Sequence, residues 1–390
     1  MRLADIRVRV ALALVALCLL ATAVLAQIGW PGRAYLDSDY VQYYAGSTAL
    51  LEGASPYDHT WWNDFYRRVG SLGTTGQLRT GEPSLDWTTP YPLPTFIALL
   101  PFALLPLSIA APLFAAAQIA LIFGAALALC AVTLTRREVP VVLALIAASQ
   151  PLWLLVAGGN ATGFAAAAFA LALAALLCGR ALLAGLLLAG LVIKPHLFVL
   201  AVVALIVGAP AHVRARLLSG AAAATLALVV PAFVLQPGWV GDWLREAGRL
   251  QASSFSNATG WTIGRPFTAA FLIPSALVVL ACVAALLVWW WRARPDLMGL
   301  VAGALPASLL VAPHGWSYDY IALLPTVIAG VALAAGSRMR MVALAVVALL
   351  AVVLPWLLYI VATGRNGEDL SALVLIVAEV AIIAALRRRS

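Results

Sequence analysis

Four places in this chain hold residues able to do chemistry. Asp39 lies in Tyr35-Leu36-Asp37-Ser38-Asp39-Tyr40-Val41-Gln42-Tyr43-Tyr44. Asn160 lies in Gly158-Gly159-Asn160-Ala161-Thr162, Lys194 in Lys194-Pro195-His196, and a histidine and an aspartate in His314-Gly315-Trp316-Ser317-Tyr318-Asp319. A carboxylate such as Asp39 can serve as a general base. Lys194 is the only lysine in the chain, and an ammonium can hold a phosphate as a point charge. Asn160 can donate or accept at a polar cavity, and His314 with Asp319 can bind a phosphate or orient an acceptor. Each has a structural alternative. Asp39 can belong to an acidic, aromatic surface band, Lys194 can be paired or snorkelling at a helix end, and Asn160 and Asp319 can cap helices. Asp58, Asp64 and Asp86 read as surface residues. Arg265, just before an apolar run, is placed to contact a lipid head group, near Ser256-Asn257-Ala258-Thr259. Glu379 falls within the last apolar run and reads as structural.

The elements that must position these residues are apolar. Hydrophobic residues make up 64% of the chain and charged ones 10%, against roughly 25% charged in a soluble domain. The runs Val10–Ala26, Ser108–Leu134, Leu217–Leu235, Pro266–Trp291, Met341–Ala362 and Leu370–Leu386 are each long enough to cross a core of about 30 Å as a helix. The expectation is an all-α polytopic membrane protein, a single domain over 1–390 with about twelve transmembrane helices and no separate soluble domain. The first run reads as an uncleaved helix rather than a signal peptide. Cys18, Cys130, Cys178 and Cys282 sit in apolar runs without metal-ligand spacing. The net charge of +8 is spread over short loops, which excludes a nucleic-acid surface. No nucleotide-binding loop and no metal motif is present, so no cofactor and no metal site is expected.

Charge fixes the expected orientation. Short basic loops stay cytoplasmic, and Arg2/Arg7/Arg9, Arg136/Arg137, Arg180, Arg214/Arg216, Arg292/Arg294, Arg338/Arg340 and Arg387–Arg389 form one set. Both termini are then cytoplasmic, in a bacterial inner membrane. A large first periplasmic loop with interfacial helices covers 29–107 and a second covers 236–265. Seven of the sixteen acids fall between Trp30 and Pro92, with many Tyr and Trp. Pro94–Leu107 is either a span or an interfacial segment, and the arginine rule favours the second. Val139–Ala157 and Ala161–Cys178 are read as single spans. Ala181–Ala209 must rise and return, because Arg180 and Arg214/Arg216 flank it. Two halves of about 13 residues, about 20 Å each, would meet at a Lys194-Pro195 apex, where proline disfavours helical backbone. This threading puts Asp39, Asn160, Lys194 and His314 on the outer side.

Asp39-x-x-x-Tyr43-Tyr44 followed by Leu50-Leu51-x-Gly53-x-x-Pro56-Tyr57 resembles the first outer loop of bacterial GT-C glycosyltransferases of family 87. Tyr91-Pro92-Leu93-Pro94, Gly190-x-x-x-Lys194-Pro195 and Pro313-His314-x-Trp316-x-Tyr318-Asp319 are similar to further family segments, in order. Gly158-Gly159-Asn160 stands where Gly-Gln-x-Asn is usual, so that motif's glutamine is missing unless Gln150 replaces it. The resemblance implies a GT-C type helical bundle and a membrane glycosyltransferase, of a family that includes polyprenyl-phosphate-mannose-dependent mannosyltransferases. The implied donor is a polyprenyl-phosphate sugar, the acceptor a lipid or glycan, and no metal is implied. By resemblance Asp39 is the catalytic base, with Asp37 the nearby alternative. Lys194, His314 and Arg265 would hold the donor phosphate, and Tyr43, Tyr44, Asn160, Asn257, Tyr318 and Asp319 would line the substrate site. The main competing reading is a transporter or flippase of lipid-linked sugars, which discontinuous helices would suit.

Overall fold

The computed structural model describes residues 39–70, 88–253, 272–312, 315–335, 353 and 355–357. Every regular element among them is helical. In chain order the helices are α1 (Asp39–Leu51), α2 (His59–Gly70), α3 (Leu93–Ala103), α4 (Leu107–Thr133), α5 (Val139–Ala148), α6 (Gln150–Gly158) and α7 (Thr162–Leu177). They continue with α8 (Ala181–Leu188), α9 (Val199–Gly208), α10 (Ala211–Leu235), α11 (Trp239–Ser253), α12 (Leu272–Ala293), α13 (Leu297–Val311) and α14 (Leu324–Ala334).

Among the described residues, three helical stretches are long and apolar enough to cross a membrane: α4, α10, and the 3₁₀ turn with α14 over Ser317–Ala334. The pair α5 and α6 makes a fourth if it is one span, bent by 50°. The bend departs from the single helix expected over Val139–Ala157. Its cause is local: Ser149 is extended at φ −71°, ψ 133°, and Pro151 opens the next helix because it needs no amide donor there. The expected runs Val10–Ala26, Leu370–Leu386 and nearly all of Met341–Ala362 lie outside the described residues. Helix α3 has 11 residues, about 16 Å, too short to cross alone. Within the expected second outer loop, α11 is a regular helix of 15 residues.

The chain divides into two compact units. The first comprises Met1–Gly124, Leu155–Phe164 and Ala224–Phe255. Here α1 packs on α3 through Gly46, where an added Cβ would sit 2.4 Å from the Phe96 ring. Ser47 Oγ donates to the Phe96 carbonyl at 3.0 Å, and Tyr44 Oη donates to the Leu105 carbonyl at 3.0 Å. Helix α2 presents Trp62, Phe65 and Val69 to Val41 and Ala45 of α1. Burying an aromatic of that size contributes roughly 1.5–3 kcal/mol. Helix α11 brings Trp239 against Tyr57, Leu93, Phe96 and Ala232.

The second unit comprises Ala125–Leu154, Ala165–Ala223 and Ser256–Ser390. Helices α8 and α10 meet backbone to backbone: a Cβ on Gly185 would lie 2.1 Å from the Leu217 carbonyl, and one on Gly220 2.4 Å from the Leu182 carbonyl. Small residues permit such contact between membrane helices. Helix α9 packs along α13, where the Leu200 amide donates to Ser308 Oγ at 3.1 Å. Helix α14 is tied to α13 by Thr326 Oγ1, which donates to the Ala302 carbonyl at 2.8 Å.

Candidate active site

In the first unit, Asp39 is the first residue of α1. Its Oδ2 accepts a hydrogen bond from Asn160 Nδ2 at 2.6 Å. Asn160 is fully buried. Its Oδ1 accepts from the Thr162 amide at 3.0 Å and from Thr162 Oγ1 at 2.7 Å. The amide therefore has only one orientation: oxygen toward α7, nitrogen toward Asp39. Gly159 makes this possible. Its φ of +64° is costly for other residues, and it ends α6 and swings Asn160 back to the start of α7. Asn160 thus closes a helix turn and contacts a carboxylate at once.

Around this contact the side chains are aromatic. The Tyr43 ring lies 4.4 Å from Tyr91 and stacks on Phe114 at 6.0 Å. Tyr40 lies 4.6 Å from Phe114. Burial holds the Tyr40 phenol well above the usual tyrosine range, with Tyr44 adding to the effect, so its hydroxyl keeps its proton. Tyr43 is buried and Tyr44 partly so.

In the second unit, the Ala181–Ala209 stretch breaks where expected. After α8 the chain continues as a 3₁₀ turn over Ala189–Ile193, and Lys194 leaves helical space at φ −147°, ψ 70°. The turn lies close to α7, since a Cβ on Gly190 would be 2.6 Å from that of Ala168. Lys194 is 2% exposed. Its Nζ donates to Asp319 Oδ1 at 2.8 Å and lies 4.9 Å from the Tyr318 ring centroid. Asp319 Oδ2 accepts from the Trp316 amide at 2.9 Å. Asp319 is thus Lys194's counter-ion and also secures the 3₁₀ turn over Ser317–Leu323.

The predicted site residues therefore form two clusters. Asp39, Tyr43, Tyr44 and Asn160 are in the first unit, and Lys194, Tyr318 and Asp319 in the second. Asp37, Asn257, Arg265 and His314 lie outside the described residues. Gln150, considered as the missing motif glutamine, donates to the Pro355 carbonyl at 3.1 Å in the second unit. Asp58 caps α2 through the Thr60 amide at 2.8 Å, and Asp64 pairs with Arg67 on the surface at 3.1 Å. Among the described residues no group of three His, Cys, Asp or Glu side chains is arranged to hold a metal.

Two polar residues escaped the sequence reading. Gln118, 1% exposed, accepts from the Gly163 amide through Oε1 at 3.1 Å. It is the one amide side chain in the 27-residue apolar α4, and that isolation was the available signal. Glu246, 2% exposed, accepts from the Thr88 amide at 2.9 Å, from Arg249 at 2.6 Å and lies 3.3 Å from His59 Nε2. In sequence, Glu246 and Arg249 look like an ordinary exposed pair on an amphipathic helix, so no local signal marked it.

A family model described as glycosyltransferase family 87 matches residues 87–313, more than half of the chain. The chain belongs to glycosyltransferase family 87. This membership makes it a membrane glycosyltransferase, with a sugar donor and an acceptor. The family 87 match contains Asn160, Gln118 and Lys194, and it begins after α1. Asp39, Tyr318 and Asp319 lie beyond its limits. No curated protein and no solved structure matches the chain.

Proposed function

We propose that this family 87 enzyme transfers a hexose, mannose in the first instance, from a polyprenyl-phosphate donor to a lipid or glycan acceptor. The reaction takes place on the periplasmic face of the bacterial inner membrane. Asp39 takes the proton of the acceptor hydroxyl as its oxygen attacks the anomeric carbon. The bond from that carbon to the phosphate oxygen breaks in the same step, and configuration inverts. Polyprenyl phosphate leaves with the bonding electrons. A phosphate monoester has a pKa of about 6, so it departs without a proton and the step needs no metal.

In this reading Lys194 stabilises the departing phosphate, with His314 and Arg265 as further cations. Such charge stabilisation is often the largest catalytic contribution. Asp319 holds Lys194 in place, while Tyr43, Tyr44, Tyr318 and Asn257 contact substrate. The observation that carries the proposal is the carboxylate of Asp39 held by the buried Asn160 amide at 2.6 Å, in a chain whose family transfers sugars.

The test uses the full-length protein with polyprenyl-phosphate-mannose and cell lipids. Wild type is expected to make a new glycolipid and Asp39→Asn none. Product from both proteins removes Asp39 as the base. Absence of product from the wild type as well removes the mannosyl transfer.

A further inference from the structure

Two side-chain amides sit on successive backbone amides at the start of α7. Asn160 Oδ1 accepts from Thr162 N–H and Gln118 Oε1 from Gly163 N–H. Each contact fixes which edge of the side chain carries the donors. The donor edge of Asn160 is occupied by Asp39. That of Gln118 is not: Nε2 is buried and has no hydrogen-bond partner among the described residues. Leaving a buried donor unmade costs about 1–3 kcal/mol, and a methionine of similar length would avoid it. Buried polar groups without partners are rare enough that each calls for an explanation.

The surroundings point to a ligand. Gln118 follows Phe114 by four residues and so shares its face of α4. Phe114 packs on Tyr40 and Tyr43 of α1, the helix that begins with Asp39. Tyr40 Oη, on the ring that meets Phe114, is also buried and unpartnered among the described residues. Among the described residues these two side chains supply a donor amide and a hydroxyl but no cation. A phosphate would call for positive charge, whereas a neutral polyol offers matching hydroxyls.

We infer that Gln118 is a substrate-binding residue whose Nε2 donates to a hydroxyl or ring oxygen of a carbohydrate acceptor bound beside Asp39. This rests on the transferase reading for its location, but its test does not depend on turnover. The full chain in phosphatidylcholine nanodiscs is titrated with hexyl mannoside, with hexanol as the sugar-free control. Gln118→Glu keeps an oxygen for Gly163 and removes the amide donor, and Gln118→Met removes both. Thermal melting without ligand confirms that each variant is folded. Wild type is expected to bind the glycoside and not hexanol, and both variants to bind it about tenfold more weakly, the equivalent of one lost hydrogen bond. Equal binding by all three proteins overturns the inference, since the amide then serves a water molecule or nothing. Absence of saturable binding to wild type overturns it as well. Gln118-dependent binding without any transfer from polyprenyl-phosphate-mannose upholds the inference and removes the mannosyl-transfer proposal. Transfer with an acceptor KM unchanged in both variants does the reverse.

Discussion

The Asn160 amide donates to the Asp39 carboxylate across 2.6 Å, and its other edge is anchored on Thr162. Asn160→Ala is expected to lower kcat about a hundredfold by releasing the carboxylate and to cost about 1 kcal/mol through the lost turn contact. Asn160→Asp keeps that contact but sets a second carboxylate against Asp39. Repulsion between the two carboxylates pushes Asp39 out of its held position while the Thr162 contact stays. Transfer by Asn160→Asp should therefore fall while its melting temperature stays near wild type, a split that a purely structural role would not produce.

Lys194 and Asp319 form a buried pair whose side chains are 3% and 0% exposed. Lys194→Met leaves a buried carboxylate without its cation and is expected to cost about 3–5 kcal/mol. Adding Asp319→Asn removes the stranded charge and keeps an acceptor for Trp316. Melting of the double variant should recover most of the loss while transfer stays absent. Stability lost equally in both would show that the ion pair does not act as a unit.

Glu246 fastens the Thr88 segment to α11 and faces Arg249 and His59. Glu246→Ala should destabilise the first unit by about 2–4 kcal/mol. Amide exchange at Thr88 and Thr89, measured by mass spectrometry, should rise more than exchange in α1.

Glu52 lies below its ordinary ionisation range, chiefly because Arg68 donates two hydrogen bonds to it, with Trp61 donating a third. A folded value below the unfolded one means that the pair stabilises the protein above about pH 4.3. The stability is lost as pH falls from there through the lowered folded value. Glu52→Gln should flatten the fall in melting temperature over that acidic window and leave neutral pH nearly unchanged.

Glycines in helices should separate by what surrounds them. Gly185→Ala drives a methyl into the Leu217 carbonyl and should cost at least about 2 kcal/mol. Gly241 in α11 has nothing within 4 Å of a new Cβ, so Gly241→Ala should add about 0.5–1 kcal/mol. Paired melts of the two variants measure the contrast.

Much of this arrangement was legible in the chain. Long apolar runs announced the membrane-length helices, and Pro195 after Lys194 marked the break. What remained hidden depends on contacts between distant segments. Asn160 could be read as a cap or as a polar ligand, and only the fold shows it touching Asp39. Asp319 offered no sign that it would meet Lys194, 125 residues away. Ser149 did not reveal its bend, because a proline near the start of a helix is compatible with either a break or a gentle kink. Gln118 and Glu246 acquire their significance from burial, which local pattern does not encode.

The 125-residue separation of Lys194 and Asp319 has a consequence for biosynthesis. At about 5–20 residues per second, Lys194 is synthesised roughly 6–25 s before its counter-ion. The Lys194-Pro195 break cannot settle into its final buried position during that interval without an unpaired ammonium. Assembly of this unit must wait for Asp319, so the order of synthesis is not the order in which its parts come to rest.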